Sequence, residues 1–134
     1  MNENEAALRD KMVYFCVPNP DITNYMDQSV LRDAQKLLME YEEQYLCRAI
    51  SPHAVVPGIL DYENSAELEI AFWFSQKMLT LCDYLVVFGE RLTDRMRVEI
   101  DYAWLHSIPI ISRPESFPAV HEYLESMKRR NGDA

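Results

Sequence analysis

The sequence predicts an α/β fold of the flavodoxin-like or Rossmann-like kind, a three-layer fold in which a short parallel sheet lies between helices. Two observations predict it. Short apolar runs rich in strand formers alternate with longer segments of helical periodicity, in the order β-α-β-α-β-α-β-α. The runs are apolar throughout, which is typical of parallel strands buried on both faces. We expect the strand order 2-1-3-4 and one domain over residues 1–134, with residues 1–11 as a flexible or helical extension.

The first strand is predicted over residues 12–17, a continuous apolar run that Pro18 and Pro20 end. An amphipathic helix of about five turns should follow the next polar loop, because apolar side chains recur there at helical spacing. They are Leu31, Ala34, Leu38, Tyr41 and Tyr45. Residues 46–50 then predict the second strand.

The second helix is apolar on two sides. Asn64 or Ser65 is expected to cap it. One side is predicted to face the core through Leu68, Ala71, Phe72, Ser75, Leu79 and Cys82. The opposite side carries Ile70, Trp73, Phe74 and Leu81, which a solvated helix face would not carry. Either another helix or a second subunit covers them, and we favour a homodimer because so small a domain has few spare helices.

The third strand is the clearest in the sequence. It is predicted over residues 84–88 and ends at Gly89. Thr93 or Asp94 should cap a third helix that runs to about His106.

The last part of the sequence predicts one more strand and one more helix, and the sequence as a whole shows no pattern typical of an export or membrane segment. The strand is expected over residues 108–111 and the helix, which is more polar, over residues 114–130. No apolar run approaches the ~20 residues that a membrane helix needs. The start of the chain is acidic and polar, unlike a secretory signal. We therefore expect a cytoplasmic protein.

The composition narrows the function classes. The chain has 22 acidic and 13 basic residues and a net charge of −9, which argues against a long nucleic-acid partner but leaves room for one small anion. Three glycines leave no space for a phosphate-binding loop or a dinucleotide fingerprint. The cysteines and histidines match no metal or redox spacing, so we expect no metal, no cofactor and reduced, buried thiols. These residues are Cys16, Cys47, Cys82, His53, His106 and His121.

The carboxyl ends of the strands are the expected ligand site, because parallel sheets bind ligands there. Asn19, His53 and Gly89 follow the first three strands and become candidate substrate-binding residues. For His53, a surface or capping role is an equally good interpretation. Asp83 resembles a catalytic acid, but it precedes its strand and is interpreted as structural.

The third helix carries a carboxylate where an apolar residue is expected. Met96, Glu99, Ile100 and Ala103 share one side of this helix, so Glu99 lies on or beside its sheet-facing side. Carboxylates normally point into water. One interpretation is a nucleophile or an acceptor for a ligand hydroxyl. The other is a carboxylate at the edge of the face that pairs with Arg95 or caps a backbone group.

Three arginines crowd the start of the same helix. Helix N-termini attract anions, and Arg91, Arg95 or Arg97 could add a contact to a phosphate. Arg95 is the first choice and Arg97 the weakest. For each arginine taken singly, the competing interpretation is a solvated charged turn.

These segments together resemble the nucleoside 2-deoxyribosyltransferase-like superfamily, most closely its small bacterial and phage branch, whose members mostly have no assigned activity. The resemblance covers about residues 12–112 and depends on the order and spacing of residues 13–18, 50–53, 82–89, 96–103 and 108–111. In the characterised enzymes, a glutamate attacks C1′ of a 2′-deoxynucleoside and forms a covalent glycosyl-enzyme.

The resemblance implies roles for particular residues. Glu99 matches the nucleophilic glutamate, and Tyr14 matches a tyrosine of the first strand that orients it. Asp94 lies one residue from a family aspartate that binds base or sugar, and Met96 belongs to the segment that contains the glutamate, so both are expected to bind substrate. Subunit contacts complete the site in this superfamily, which agrees with a homodimer.

Two segments depart from the family pattern. Residues 16–20 stand where the transferases have a glycine-rich turn that lets the sugar approach. Residues 75–81 lack the aspartate that helps to protonate the departing base.

Three functions therefore compete. The first is an N-glycosidase or deoxyribosyltransferase acting on a nucleoside or nucleotide. The second is a nucleotide-binding module that has lost its chemistry, which the departures favour. The third, ranked last, is an acidic phage-type inhibitor of a basic partner, since the acidic residues are spread along every helix instead of forming one face.

Overall fold

The computed structural model describes residues 7–17, 28–52 and 64–130. Its centre is a four-stranded sheet in which every pairing is parallel. The strands are β1 (Met12–Cys16), β2 (Arg48–Ile50), β3 (Tyr84–Val87) and β4 (Ile110–Ser112). Their spatial order is β2-β1-β3-β4, so the predicted α/β class and the strand order 2-1-3-4 are confirmed.

Within the described ranges, four helices follow the strands in alternation. They are α1 (Gln28–Tyr45), α2 (Ser65–Thr80), α3 (Asp94–Leu105) and α4 (Phe117–Arg130). A short 3₁₀ helix at Pro114–Ser116 leads into α4, so the predicted last helix has an irregular first turn. No helix in the described part of the chain is both long and apolar enough to cross a bilayer.

The sheet separates two apolar clusters, because successive side chains of a strand point to opposite faces. Val13 and Phe15 of β1 pack on the α1 side, with Tyr41 and Tyr45. Tyr14 and Cys16 point to the other side, where α2, α3 and α4 cover the sheet. That second cluster contains Leu79, Leu85, Val87, Met96, Ile100, Ala103, Val120 and Met127. The three layers of the predicted fold are therefore present.

Two strands begin later than the sequence predicts. Leu46 adopts a left-handed φ of 55°, which ends α1 and delays β2 until Arg48. Ser107 does the same after α3 with a φ of 58°, and β4 starts only at Ile110. Pro109 lacks an N–H and cannot donate to the sheet, but its carbonyl oxygen accepts a hydrogen bond of 3.0 Å from the Leu85 backbone N–H.

Residues 7–11 are not a free extension. They form a turn whose Leu8 side chain is fully buried in the cluster on the α1 side. Asp10 N–H donates to the Leu46 carbonyl, which ties this turn to the start of β2. The prediction for residues 1–11 is therefore wrong for this part, since an apolar side chain gains more from the core than from solvent. Residues 1–6 lie outside the described residues.

Asp83 has a structural contact at the amino end of the sheet. Its Oδ2 accepts a hydrogen bond of 2.9 Å from the Met12 backbone N–H at the start of β1. This contact agrees with the interpretation that Asp83 holds the strand ends together and lies far from the carboxyl edge.

Candidate functional site

The start of α3 is held firmly at the carboxyl end of β3. Gly89 follows the strand with a φ of 89°, a left-handed conformation that favours glycine, and its carbonyl accepts a hydrogen bond from Ser116. Thr93 caps the helix: its hydroxyl accepts from the Met96 N–H at 3.2 Å, while the Thr93 N–H donates to Met96 Sδ. This cap sets the rotation of α3, and with it the direction in which Glu99 points.

Glu99 is buried beneath the carboxyl edge of the sheet. Only 5% of its surface is exposed, and it lies in the second turn of α3, among side chains from β1 and α2. Tyr14, from the middle of β1, is fully buried and interacts through its hydroxyl with both Glu99 and Ser75. Glu99 is therefore enclosed and does not lie at an exposed edge of the helix face, while the charge of Arg95 acts on it as the second interpretation expects.

The polar atoms of this pair are left with unused hydrogen-bonding capacity. Tyr14 Oη lies close enough to Glu99 to shift its pKa, yet neither Tyr14 Oη nor Glu99 Oε2 has a partner of good hydrogen-bond geometry among the described residues. Buried polar atoms are paired in the great majority of cases, and exceptions concentrate where a site is incomplete. Glu99 Oε2 thus keeps hydrogen-bonding capacity that no described residue uses.

Burial controls the protonation of Glu99. Desolvation raises the pKa of its carboxyl from 4.5 to about 8, and the Tyr14 hydroxyl and the Arg95 charge only partly oppose this rise. Burial and the neighbouring Glu99 also raise the pKa values of Tyr14 and Cys16 well above their ordinary ranges. At neutral pH the site therefore holds Glu99 mainly as a neutral acid, with ionisation beginning just above that pH.

Arg95 is the charged neighbour of Glu99. It lies one turn earlier on α3 and is 9% exposed. Its guanidinium carbon is 5.6 Å from the centre of the Phe72 ring on α2. The sequence predicted this arginine as the first choice for a phosphate contact at the start of the helix, and the structure buries it beside Phe72.

The other predicted binding residues are scattered. Asp94 is fully exposed and pairs at 3.0 Å with Arg97, so both point away from Glu99 into solvent. Met96 is fully buried and is used by the helix cap and the core. Arg91 is exposed, and the predicted cluster of arginines therefore does not converge on one anion site. Asn19 and His53 lie outside the described residues.

Two residues near Glu99 were not predicted as site residues. Ser75, which donates to the Phe72 carbonyl at 2.9 Å, interacts with the Tyr14 hydroxyl. Cys16 at the end of β1 is fully buried, and its thiol lies 3.8 Å from the Met96 carbonyl oxygen. Ser75 had a detectable signal, since it is the one polar residue among the predicted core-facing positions of its helix. In residues 7–17, 28–52 and 64–130, no three His, Cys, Asp or Glu side chains are grouped to hold a metal ion.

Comparison with known proteins supplies the family. The model of a domain of unknown function (DUF7768) matches residues 11–113, which is most of the chain. The chain belongs to the DUF7768 family. The matched segment runs from the residue before β1 to the residue after β4, so the family domain contains the whole sheet as well as Tyr14, Arg95 and Glu99. No curated protein and no solved structure matches the chain.

Proposed function

We propose that this DUF7768 protein is an N-glycosidase or 2-deoxyribosyltransferase-like enzyme that acts on a nucleoside or nucleotide through Glu99. The observation that carries the proposal is the enclosed carboxyl beside Tyr14, whose Oε2 has no hydrogen-bond partner among the described residues. A carboxylate in such a place can stabilise an oxocarbenium-like sugar and then bond to it. The resemblance to the nucleoside 2-deoxyribosyltransferase-like superfamily adds the substrate class.

The proposed reaction has two displacement steps. In the first, a Glu99 oxygen forms a bond to C1′ as the bond between C1′ and the base nitrogen breaks. The base leaves with that electron pair and takes a proton from solvent. In the second, water or another base attacks C1′ and gives up a proton to solvent, and the bond from C1′ to Glu99 breaks so that Glu99 departs as a carboxylate. Tyr14 positions the carboxyl throughout, because its hydroxyl comes from the rigid centre of the sheet.

The test measures release of free base from deoxynucleosides and their 5′-monophosphates by chromatography. We expect release by the wild type, and its loss in Glu99→Gln, which keeps the shape of the side chain without its charge. Glu122→Gln, an exposed position on α4, is the matched control and should behave as the wild type does. Activity that survives Glu99→Gln would refute the assigned mechanism.

A nucleotide-binding module without chemistry is the second candidate, and Cys16 is the observation that favours it. Its buried side chain occupies the end of β1, where the resembling transferases have a glycine-rich turn. Residues 75–81 also lack an acid for the departing base, and general acid catalysis typically contributes about 10²–10⁴-fold. Thermal stabilisation by a nucleotide without turnover distinguishes this candidate, with about 2.7 kcal/mol expected at 100 times the dissociation constant.

We also propose that the chain forms a homodimer through the outer side of α2. Ile70, Trp73, Phe74 and Leu81 are all exposed, Trp73 by 60%. A two-fold contact would pack this side against its own copy. Sedimentation at tens of micromolar should show a dimer that Trp73→Glu dissociates, while Leu105→Glu, an exposed apolar position on α3, leaves it intact. A wild type that sediments as a monomer would refute this proposal.

The proposed compartment is the cytoplasm. All three cysteines are buried free thiols. This state fits a reducing environment, where structural disulfides are rare.

A further inference from the structure

Arg95 is a buried cation on the same side of α3 as Glu99. The two residues are four positions apart, which places their side chains on successive turns of one helix face. The charged guanidinium of an arginine is normally in contact with water. Its burial costs free energy unless an opposite charge or a polar group compensates it. The position of Arg95 therefore requires an explanation beyond helix stability.

Phe72 sets where the guanidinium lies. Its ring on α2 is 5.6 Å from the guanidinium carbon, an arrangement in which the ring face attracts the cation. Because α2 and α3 pack against each other, this contact holds the charge between the two helices. An arginine fixed in this way has little freedom to reach out to a phosphate.

The groups that face Glu99 come from three elements. Strand β1 contributes Tyr14 and Cys16, which are neutral at physiological pH, and α2 contributes Ser75 through Tyr14. Helix α3 contributes Arg95, whose positive charge acts on Glu99. Within the described residues, Arg95 is thus the cation that favours the ionised form of Glu99 against the effect of burial.

We propose that Arg95 is a positioning residue whose buried guanidinium is the counter-charge of ionised Glu99, and that it does not bind a substrate phosphate. This inference rests on the proposed function only in calling Glu99 the reacting group. The counter-charge role itself belongs to the free protein and is measurable without substrate.

The experiment follows the titration of Glu99 by NMR in protein labelled with ¹³C at the glutamate carboxyl carbon, with the signal assigned by its loss in Glu99→Gln. Arg95→Met should raise the titration midpoint by about one pH unit or more, the usual effect of removing a close opposite charge. Arg95→Lys, which keeps the charge, should raise it less. Arg97→Met makes the same substitution two residues along, at an exposed position paired with Asp94, and should leave the midpoint unchanged.

A midpoint in Arg95→Met that stays within a few tenths of the wild-type value would overturn the proposal. Folding is checked at pH 5, where Glu99 is neutral and needs no counter-charge. Arg95→Met should be folded there, and its stability should continue to fall above about pH 8, where the loss that Glu99 causes in the wild type levels off. Failure of this variant to fold even at pH 5 would also contradict the proposal, because it would assign Arg95 a purely structural role.

Kinetics separate this role from phosphate binding. If the protein is active, Arg95→Met should lower kcat at pH 7 by about tenfold for each pH unit of midpoint shift, and should change KM equally for nucleoside and 5′-monophosphate. A selective rise in KM for the monophosphate would instead identify Arg95 as a phosphate ligand. A shifted midpoint in a protein that releases no base would leave the counter-charge role intact and refute the proposed function.

Discussion

Glu99→Gln should remove a pH dependence of stability that the burial of Glu99 gives to the wild type. The pKa of this carboxyl is raised from 4.5 to about 8 in the folded protein. Between these two values the unfolded chain ionises Glu99 and the folded chain does not. The folded state then holds more protons, so the unfolding free energy must fall as the pH rises. The Glu99 contribution is fully present below pH 4.5 and is lost by about pH 8.

The loss of unfolding free energy depends on the width of the pH window. Each pH unit in the window is worth about 1.4 kcal/mol, so the full loss is about 5 kcal/mol. A domain of this size has a total stability of about 5–15 kcal/mol. Glu99 alone should therefore make the wild type much less stable at alkaline pH than at acidic pH, whereas glutamine cannot ionise and is free of this loss.

The assay is urea unfolding followed by circular dichroism at intervals from pH 4 to pH 9. The informative quantity is the difference in unfolding free energy between the wild type and Glu99→Gln, because the other carboxyl groups titrate alike in both. We expect the two proteins to agree near pH 4.5 and the variant to be the more stable near pH 8. The exposed control Glu122→Gln should follow the wild type. If the unfolding free energies of the wild type and Glu99→Gln changed with pH in parallel, the raised pKa of a buried Glu99 would be refuted.

Three further predictions concern the same site and its supports. The rate of base release should rise with pH to a midpoint near 8, because attack needs the ionised form of Glu99; a rate that falls over pH 6–8 would contradict this. Tyr14→Phe should shift that midpoint upward and lower the rate at pH 7, with little loss of stability, since the hydroxyl has no well-formed hydrogen bond. Asn64→Ala should destabilise the protein by about 1 kcal/mol in urea unfolding, because the Asn64 side chain accepts from two backbone N–H groups at the start of α2. An unchanged midpoint of unfolding would show that this cap contributes nothing.

The fold was predictable because its signals are local. A continuous apolar run such as residues 84–88 identifies a strand buried on both faces, and helical spacing identifies the layers around it. The starts of β2 and β4 were harder to predict, because Leu46 and Ser107 adopt a left-handed backbone conformation that their residue types do not favour. Such conformations are imposed by the packing of the elements on either side.

The site was predictable only where polarity broke a pattern. Glu99 interrupts the apolar side of α3, and its burial confirms that this placement is unusual. Ser75 interrupts the core-facing side of α2 in the same way, yet a small hydroxyl residue is common in a core and raised no expectation of a site. Arg95 and Asp94 are neighbours in sequence but one is buried and the other fully exposed. Only the rotation of α3, set by its cap, decides between them.

The central claim is that Glu99 bonds to the sugar carbon of a nucleoside. The most direct measurement is the intact mass of the protein after incubation with a deoxynucleoside and rapid quenching in acid, followed by peptide mapping. We expect an added deoxyribosyl group on the peptide that contains Glu99, and its absence in Glu99→Gln. Release of base by the wild type with no adduct on this peptide, and with equal release by Glu99→Gln, would contradict it.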